Sequence, residues 1–439
     1  MTAPCTPITG DIVAPGRYRI DSATIMTVQF ETPLRVERMK KFRILFLASI
    51  LLIPLLSVSC IQRGVWQVAS ILGQQEYREY DQLIAELKDL AELRPDIADI
   101  HSLGKTYEGR DIWAIRVGIK DPERKAPKPE ILTIGCIHAN EWIAKEVVMN
   151  FAERLVEEEK ASEEIHSLLK RADIWLVPVA NPDGVVYSEK YDRQWRKNRR
   201  AFGGDIYGVD PNRAYPFMWR LPGDKPDNPK AEGARDIPTH RNFRGYPDIN
   251  DTSKPAEIQN EVLAILSLVS DPDRNFILFL DYHSFSELVL YPPGFSKDPP
   301  PDEEAYLELA SGVAEKINAA RISAKMLKVA YKTPLAYTYR VRQVGRLYPE
   351  VVTGGSIDMT YYVYGLWSLA IELPPSEGKF ARRELLYLSG TGYLLPASRI
   401  LPTCVENWPG FMFACRWALE HDPPTVQTPN PKPRYEAKR

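Results

Sequence analysis

Three apolar runs punctuate this chain, and each stops at a residue that can hold a metal or a proton. Residues 131–137 (ILTIGCI) are apolar apart from Thr133 and Gly135, and His138 follows. Residues 276–282 (FILFLDY) end at His283, and 367–371 (WSLAI) end at Glu372. Short apolar runs without alternation read as strands buried on both faces, as in a parallel sheet. Between them the period changes. Ile143, Val147, Val148, Phe151 and Leu155 recur at helical spacing, as do Tyr80, Leu83, Ile84, Leu87 and Leu90.

The remaining pattern fills out an α/β fold. Residues 97–107 and 111–119 read as a strand pair around Glu108-Gly109-Arg110, and 173–179 (DIWLVPV) as another buried strand. Asn181-Pro182-Asp183-Gly184 after it is a turn signal. Helices are predicted over 255–269, 303–320 and 405–421. The stretch 216–255 is rich in Pro, Asp, Asn and Arg and reads as a long ordered loop that frames a cleft entrance. Residues 423–439, with five prolines, read as a disordered tail. Strands alternating with helices predict a single α/β/α domain over 76–422, its mixed, mainly parallel sheet covered on both faces.

Charge narrows the function classes. Lys plus Arg number 56 against 58 Asp plus Glu, which argues against a nucleic-acid partner. The N-terminal part carries an address: a basic Met39-Lys40-Lys41-Phe42-Arg43, an apolar run over 44–58 and small residues before Cys60. Residues 39–60 thus have the outline of a secretory signal peptide, with 1–38 an over-extended start and 61–75 a tether. Cys60 is placed like the acylated cysteine of a lipoprotein, although Leu56 sits one position too far from it. The expected product is exported and monomeric, either cleaved free or held at a membrane by lipidated Cys60 or an uncleaved signal. Cys136 reads as core, and Cys404 and Cys415 could pair in an oxidising compartment.

The chemistry starts from His138 and Glu141, an imidazole and a carboxylate three positions apart beyond a buried strand. Alone, such a pair is a common surface-helix feature. Three strand ends in His, His and Glu make one site along a sheet edge, where open α/β sheets place their ligands. Two histidines and a carboxylate with an open position are a catalytic zinc set. The basic segment 193–200 (RQWRKNRR) alone reads as a solvated loop or anion patch. Asn212-Arg213, following Gly208-Val209-Asp210 read as a turn at a strand end, alone reads as a capping turn, although such a pair can also grip a carboxylate.

Taken together, GCIHANEWIA, NPDGVVYS, RQWRKNRR, GVDPNR, LDYHSFSELVLYPPG, GGSIDMTYY, and AIELPPSEGKF with GYLLPAS make the chain resemble a zinc metallocarboxypeptidase of the carboxypeptidase A type. The resemblance implies a secreted bacterial enzyme without a pro-domain, active without zymogen cleavage. It implies one Zn2+ per chain, held by His138, Glu141 and His283. Glu372 would be the general base and Arg196 the oxyanion stabiliser. Asn212 and Arg213 would clamp the free C-terminus of a peptide or protein substrate. Tyr348 would be the mobile tyrosine, given a two-residue insertion before Gly354. Ile357 would floor the pocket for the C-terminal side chain and imply an apolar or aromatic preference.

Two departures open a second reading. Asn140 replaces an arginine of many relatives, and HANEW is the spelling of relatives that cleave γ-D-glutamyl-diaminopimelate bonds in cell-wall peptides. Arg196 and Asn212-Arg213 argue more for ordinary C-terminal trimming. A third reading, an inactive protein that binds peptide tails, predicts replacement of His138, Glu141, His283 or Glu372, and all four are present.

Overall fold

The computed structural model describes residues 76–124, 126–221, 233–326, 338–375, 391–429 and 432–438. The N-terminal extension, the signal-like segment and the tether lie outside the described residues. The strands in chain order are β1 (Ala98–Lys105), β2 (Asp111–Val117), β3 (Glu130–Gly135), β4 (Asp173–Val177), β5 (Phe276–Ser284), β6 (Leu288–Tyr291), β7 (Arg340–Gln343) and β8 (Trp367–Leu373). The helices are α1 (Tyr80–Leu93), α2 (Trp142–Glu157), α3 (Glu163–Arg171), α4 (Pro182–Lys190), α5 (Asn260–Val269), α6 (Glu303–Met326), α7 (Ser356–Tyr362) and α8 (Ile400–Glu420).

The eight strands form one sheet in the order β1-β2-β4-β3-β5-β8-β6-β7. Its centre, β4-β3-β5-β8, is parallel, and antiparallel pairs flank it. The sheet is therefore mixed with a parallel heart, as expected. Every residue of β3 is buried, because apolar cores lie on both faces. Alternate strand residues feed the two cores. Ile131, Leu278 and Leu280 join helices α1, α2, α6 and α8, whereas Leu132, Ile134 and Phe279 join α5 and α7. An unbroken apolar run is what a strand facing two cores requires.

Four details differ from the sequence reading. Asn181-Pro182-Asp183-Gly184 is a helix start rather than a turn: the Asn181 side chain caps α4 by accepting from the Gly184 N–H, with Pro182 in the first turn. That same dipeptide logic serves turns and N-caps alike. Cys404 and Cys415 are free and buried on one helix, α8. Eleven residues of helix span about 16 Å, far beyond disulfide reach. Asn212-Arg213 follows no strand and sits in a short 3-10 turn, Pro211–Arg213.

The fourth difference is the proline-rich tail, where 432–438 is ordered. Lys432 Nζ donates to the Tyr364 carbonyl, Tyr435 N–H to Ser270 Oγ, and the Tyr364 hydroxyl to the Pro433 carbonyl. The Lys105 N–H donates to the Lys438 carbonyl. Prolines lower the entropy lost on ordering, and backbone and side-chain groups of the domain supply the missing partners. Among the described residues no helix is long and apolar enough to cross a membrane.

Candidate active site and metal centre

The cluster forms because the parallel strands end in step. His283 and Glu372 are register partners on β5 and β8, and Gly135 at the end of β3 pairs with Tyr282. A Cβ on Gly135 would lie 2.8 Å from the Ala144 carbonyl, so only glycine lets α2 approach so closely. Cys136 then takes a positive φ of 48° and its thiol donates to the Glu141 carbonyl. It is core, as expected, but it lies past the strand and turns the chain toward His138.

His138, Glu141 and His283 offer ligand atoms that all lie within 4.8 Å of one another, and all three side chains are buried. The two Nδ1 atoms face each other at 3.1 Å, and each faces one Glu141 oxygen at 3.0 Å. Two ring nitrogens and a carboxylate converging on one point have acceptor lone pairs in excess. A divalent cation resolves that excess, and a mixed N/O set fits zinc. The outward Nε2 atoms are anchored, that of His138 by Asp210 at 3.2 Å and that of His283 by Asp281 at 3.0 Å. Such anchoring fixes ring orientation.

Two carboxylates of the cleft are driven in opposite directions. Burial opposes ionisation of Glu141, but the imidazoles of His138 and His283 outweigh it and hold the carboxyl well below its ordinary range. Burial dominates at Glu372, with Glu141 adding to it against the pull of His283 and Arg196, and pushes it up to about 7. Glu372 Oε2 has no hydrogen-bond partner among the described residues and lines the cavity. A carboxylate so placed suits proton transfer.

All nine residues picked from the sequence line or form one cavity: His138, Glu141, Arg196, Asn212, Arg213, His283, Tyr348, Ile357 and Glu372. Arg196 is buried, its Nε donating to Asp210 at 2.9 Å and its Nη1 approaching Glu141 at 3.4 Å. Asn212 accepts the Ser356 N–H through Oδ1 at 2.8 Å. Arg213 donates one Nη to the Asn212 carbonyl, and its Nε is buried without a partner among the described residues. A Cβ on Gly354, whose φ is 66°, would fall 2.4 Å from the Arg213 carbonyl, so glycine seats the pocket loop on this pair. Leu290, Val344, Leu347, Val352 and Ala370 join Ile357 in an apolar wall.

The sequence reading passed over Asp210, Asp281, Ser356, Phe285 and Tyr393. A signal existed for one of them, since Asp281 interrupts an apolar strand and a buried carboxylate needs a partner. Asn140 is buried, and its carbonyl accepts from Arg193, whose guanidinium lies 3.7 Å from the Trp142 ring centre. His101, His166 and His421 stay outside the site: His101 packs on Trp175, His421 stacks on Trp417, and His166 pairs with Glu159.

A buried two-histidine, one-carboxylate centre thus stands at the carboxyl edge of a two-faced α/β sheet. The chain belongs to the zinc carboxypeptidase family, whose model matches residues 83–410. It is 31% identical over 351 residues to the inactive metallocarboxypeptidase ecm14 of Talaromyces stipitatus, covering 79% of this chain and 55% of that one. It is 29% identical over 346 residues to mouse carboxypeptidase A4, covering 79% and 71% respectively. The chain thus spans little more than half the length of the Talaromyces relative. In fold it is similar to the crystal structure of carboxypeptidase A from Helicoverpa armigera, with a TM-score of 0.64 at 22% identity over 79% of this chain and 74% of that one.

Proposed function

We propose that this chain is an active zinc-dependent carboxypeptidase that removes apolar or aromatic residues from the free C-termini of peptides. The observation that carries the reading is the joining of two half-sites in one cavity. Arg213 with its buried Nε and Asn212 form one half, and the His138–Glu141–His283 cluster with Glu372 the other, the two meeting where Asn212 Nδ2 lies 3.2 Å from His283 Nε2. A carboxylate held by Arg213 and Asn212 places the last peptide bond toward the cluster, which makes cleavage exopeptidic.

His138, Glu141 and His283 would hold the ion, which when bound supplies a Lewis acid that polarises the scissile carbonyl. Glu372 accepts the proton of the attacking water and returns it to the departing amine. Arg196, fixed by Asp210, stabilises negative charge developing on the carbonyl oxygen. Tyr348, half-buried on the cavity wall, closes over the bound residue. Ile357 and the aliphatic wall take the C-terminal side chain. Asp358, beside them in the lining, is buried with both oxygens on the Gly294 N–H, at 2.9 and 3.0 Å, and burial pushes its carboxyl up to about 7.

A relative named inactive does not transfer that property, because activity rests on residues present in this chain. The Asn212–Arg213 arrangement and the apolar wall favour C-terminal trimming over cell-wall peptides. The signal-like segment 39–60 supports export, with Cys60 a candidate attachment point, and the enzyme is read as a monomer acting on peptide tails.

The test compares a peptide ending in Phe or Leu as free acid and as C-terminal amide, by mass spectrometry, with and without a zinc chelator. Chelator-sensitive loss of one residue from the free acid alone is the expected result. No cleavage of either by the zinc-loaded chain would overturn the reading and direct the same assay to γ-D-glutamyl-diaminopimelate peptides.

A further inference from the structure

The two histidines of the cluster are anchored differently, and the difference points to a link between the metal end and the clamp end. Asp210 holds His138 through Oδ1 and Arg196 through Oδ2, and its Oδ1 also accepts the Asn212 N–H at 2.9 Å. Asp281 holds His283 through Oδ2, and that same oxygen accepts from Ser356 Oγ at 2.6 Å. Ser356 opens α7, and its N–H donates to Asn212 Oδ1 at 2.8 Å. Asn212 Nδ2 in turn lies 3.2 Å from His283 Nε2. His283, Asp281, Ser356 and Asn212 therefore close a ring of polar contacts. Asp281 is fully buried and Ser356 nearly so.

We propose that Asp281 and Ser356 are positioning residues that lock the second metal-ligand histidine to the carboxylate clamp and to the helix carrying Ile357. The inference rests on the zinc carboxypeptidase reading. A buried carboxylate with one oxygen shared between an imidazole and a short hydroxyl contact has its orientation set by the hydroxyl. Without Ser356 Oγ the carboxylate can rotate, because Asp281 Oδ1 has no other partner among the described residues. His283 and Asn212 then lose their common reference, although neither residue has been altered. The Ser356 hydroxyl touches no ligand atom of the metal, so any effect of the hydroxyl on the ion passes through Asp281.

The test is zinc affinity of the purified full chain, by competition with a chromogenic chelator, together with the visible spectrum of the cobalt(II)-loaded protein. Asp281→Asn should weaken zinc about 10- to 100-fold. Ser356→Ala removes the hydroxyl but keeps the N–H to Asn212, and should weaken zinc about three- to tenfold and shift the cobalt spectrum. The double variant should bind no more weakly than Asp281→Asn alone, as expected of residues acting in one chain of contacts. Wild-type affinity and spectrum in Ser356→Ala, at unchanged melting temperature, would overturn the proposal, as would fully additive effects. Absence of zinc binding by the wild-type chain would overturn the carboxypeptidase reading and this inference together. Zinc binding and cleavage by the wild type with an unaltered Asp281→Asn affinity would sink this inference alone. Ser356→Ala decides the matter even where Asp281→Asn does not fold.

Discussion

The two ends of the cleft are built by different means. At the metal end His283 and Glu372 sit on neighbouring buried strands, and His138 and Glu141 lie at the β3–α2 junction, so backbone ladders set their spacing. At the clamp end Asn212, Arg213 and Tyr348 come from a 3-10 turn and loops, and only Ile357 lies on a helix, one of seven residues. Strand register holds reactive groups to a fraction of an ångström, whereas loops permit the adjustment that substrate choice needs. On the proposed function, chemistry is placed on the strand-held end and specificity on the loop-built one.

The largest effect that would sharpen this contrast is expected at the rigid end. Glu372→Gln should lower kcat about 10²- to 10⁴-fold with zinc content unchanged, measured by peptide hydrolysis and metal analysis. Loss of zinc along with activity would instead make Glu372 a ligand and blur the division of labour.

Next comes Arg213→Ala at the clamp. Removing charge-assisted hydrogen bonds of about 1.5–3 kcal/mol should lower kcat/KM about 10- to 100-fold. It should also erase most of the discrimination between free-acid and amide peptides. An unchanged acid-to-amide ratio would remove the clamp from this end of the cleft.

Ile357→Asp should cost about tenfold on peptides ending in Phe and raise cleavage of those ending in Lys or Arg, read from a panel of C-terminal residues. A uniform loss across the panel would show that Ile357 supports the fold rather than the choice.

The smallest expected effect separates the two glutamates of the rigid end in the metal-free protein. Glu372 is raised from 4.5 to about 7 by burial, so the folded state keeps a proton that the unfolded chain has lost. Its contribution to stability therefore falls as pH rises from about 4.5 to about 7. Glu141, held low by its two histidines, contributes stability above its ordinary range that is lost as pH falls. In chelator, Glu372→Gln should flatten the decline between pH 5 and 8 in urea unfolding. Equal slopes in wild type and variant would break the contrast between the two carboxylates. A bound divalent ion would lower the Glu372 value, so the slope should shrink when zinc is restored.

The sequence alone determined six of the eight described strands, the three strand ends and the chemical identity of the cluster. Those follow from local properties, because an apolar run of one length can only be buried strand or helix, and a residue type carries its chemistry wherever it sits. The NPDG motif misled for the same reason, since cap and turn share one local vocabulary and only the helix that follows separates them. Tertiary structure decided which groups meet. Ser356 and Asp281 lie 75 positions apart and Asn212 and Ser356 144 apart, yet each pair is hydrogen-bonded. The tail from 432 to 438 is ordered by partners at Lys105, Ser270 and Tyr364, which no composition count contains. Contacts of that span are fixed by strand order and register, and these come from the packing of two apolar faces at once rather than from any stretch of the chain.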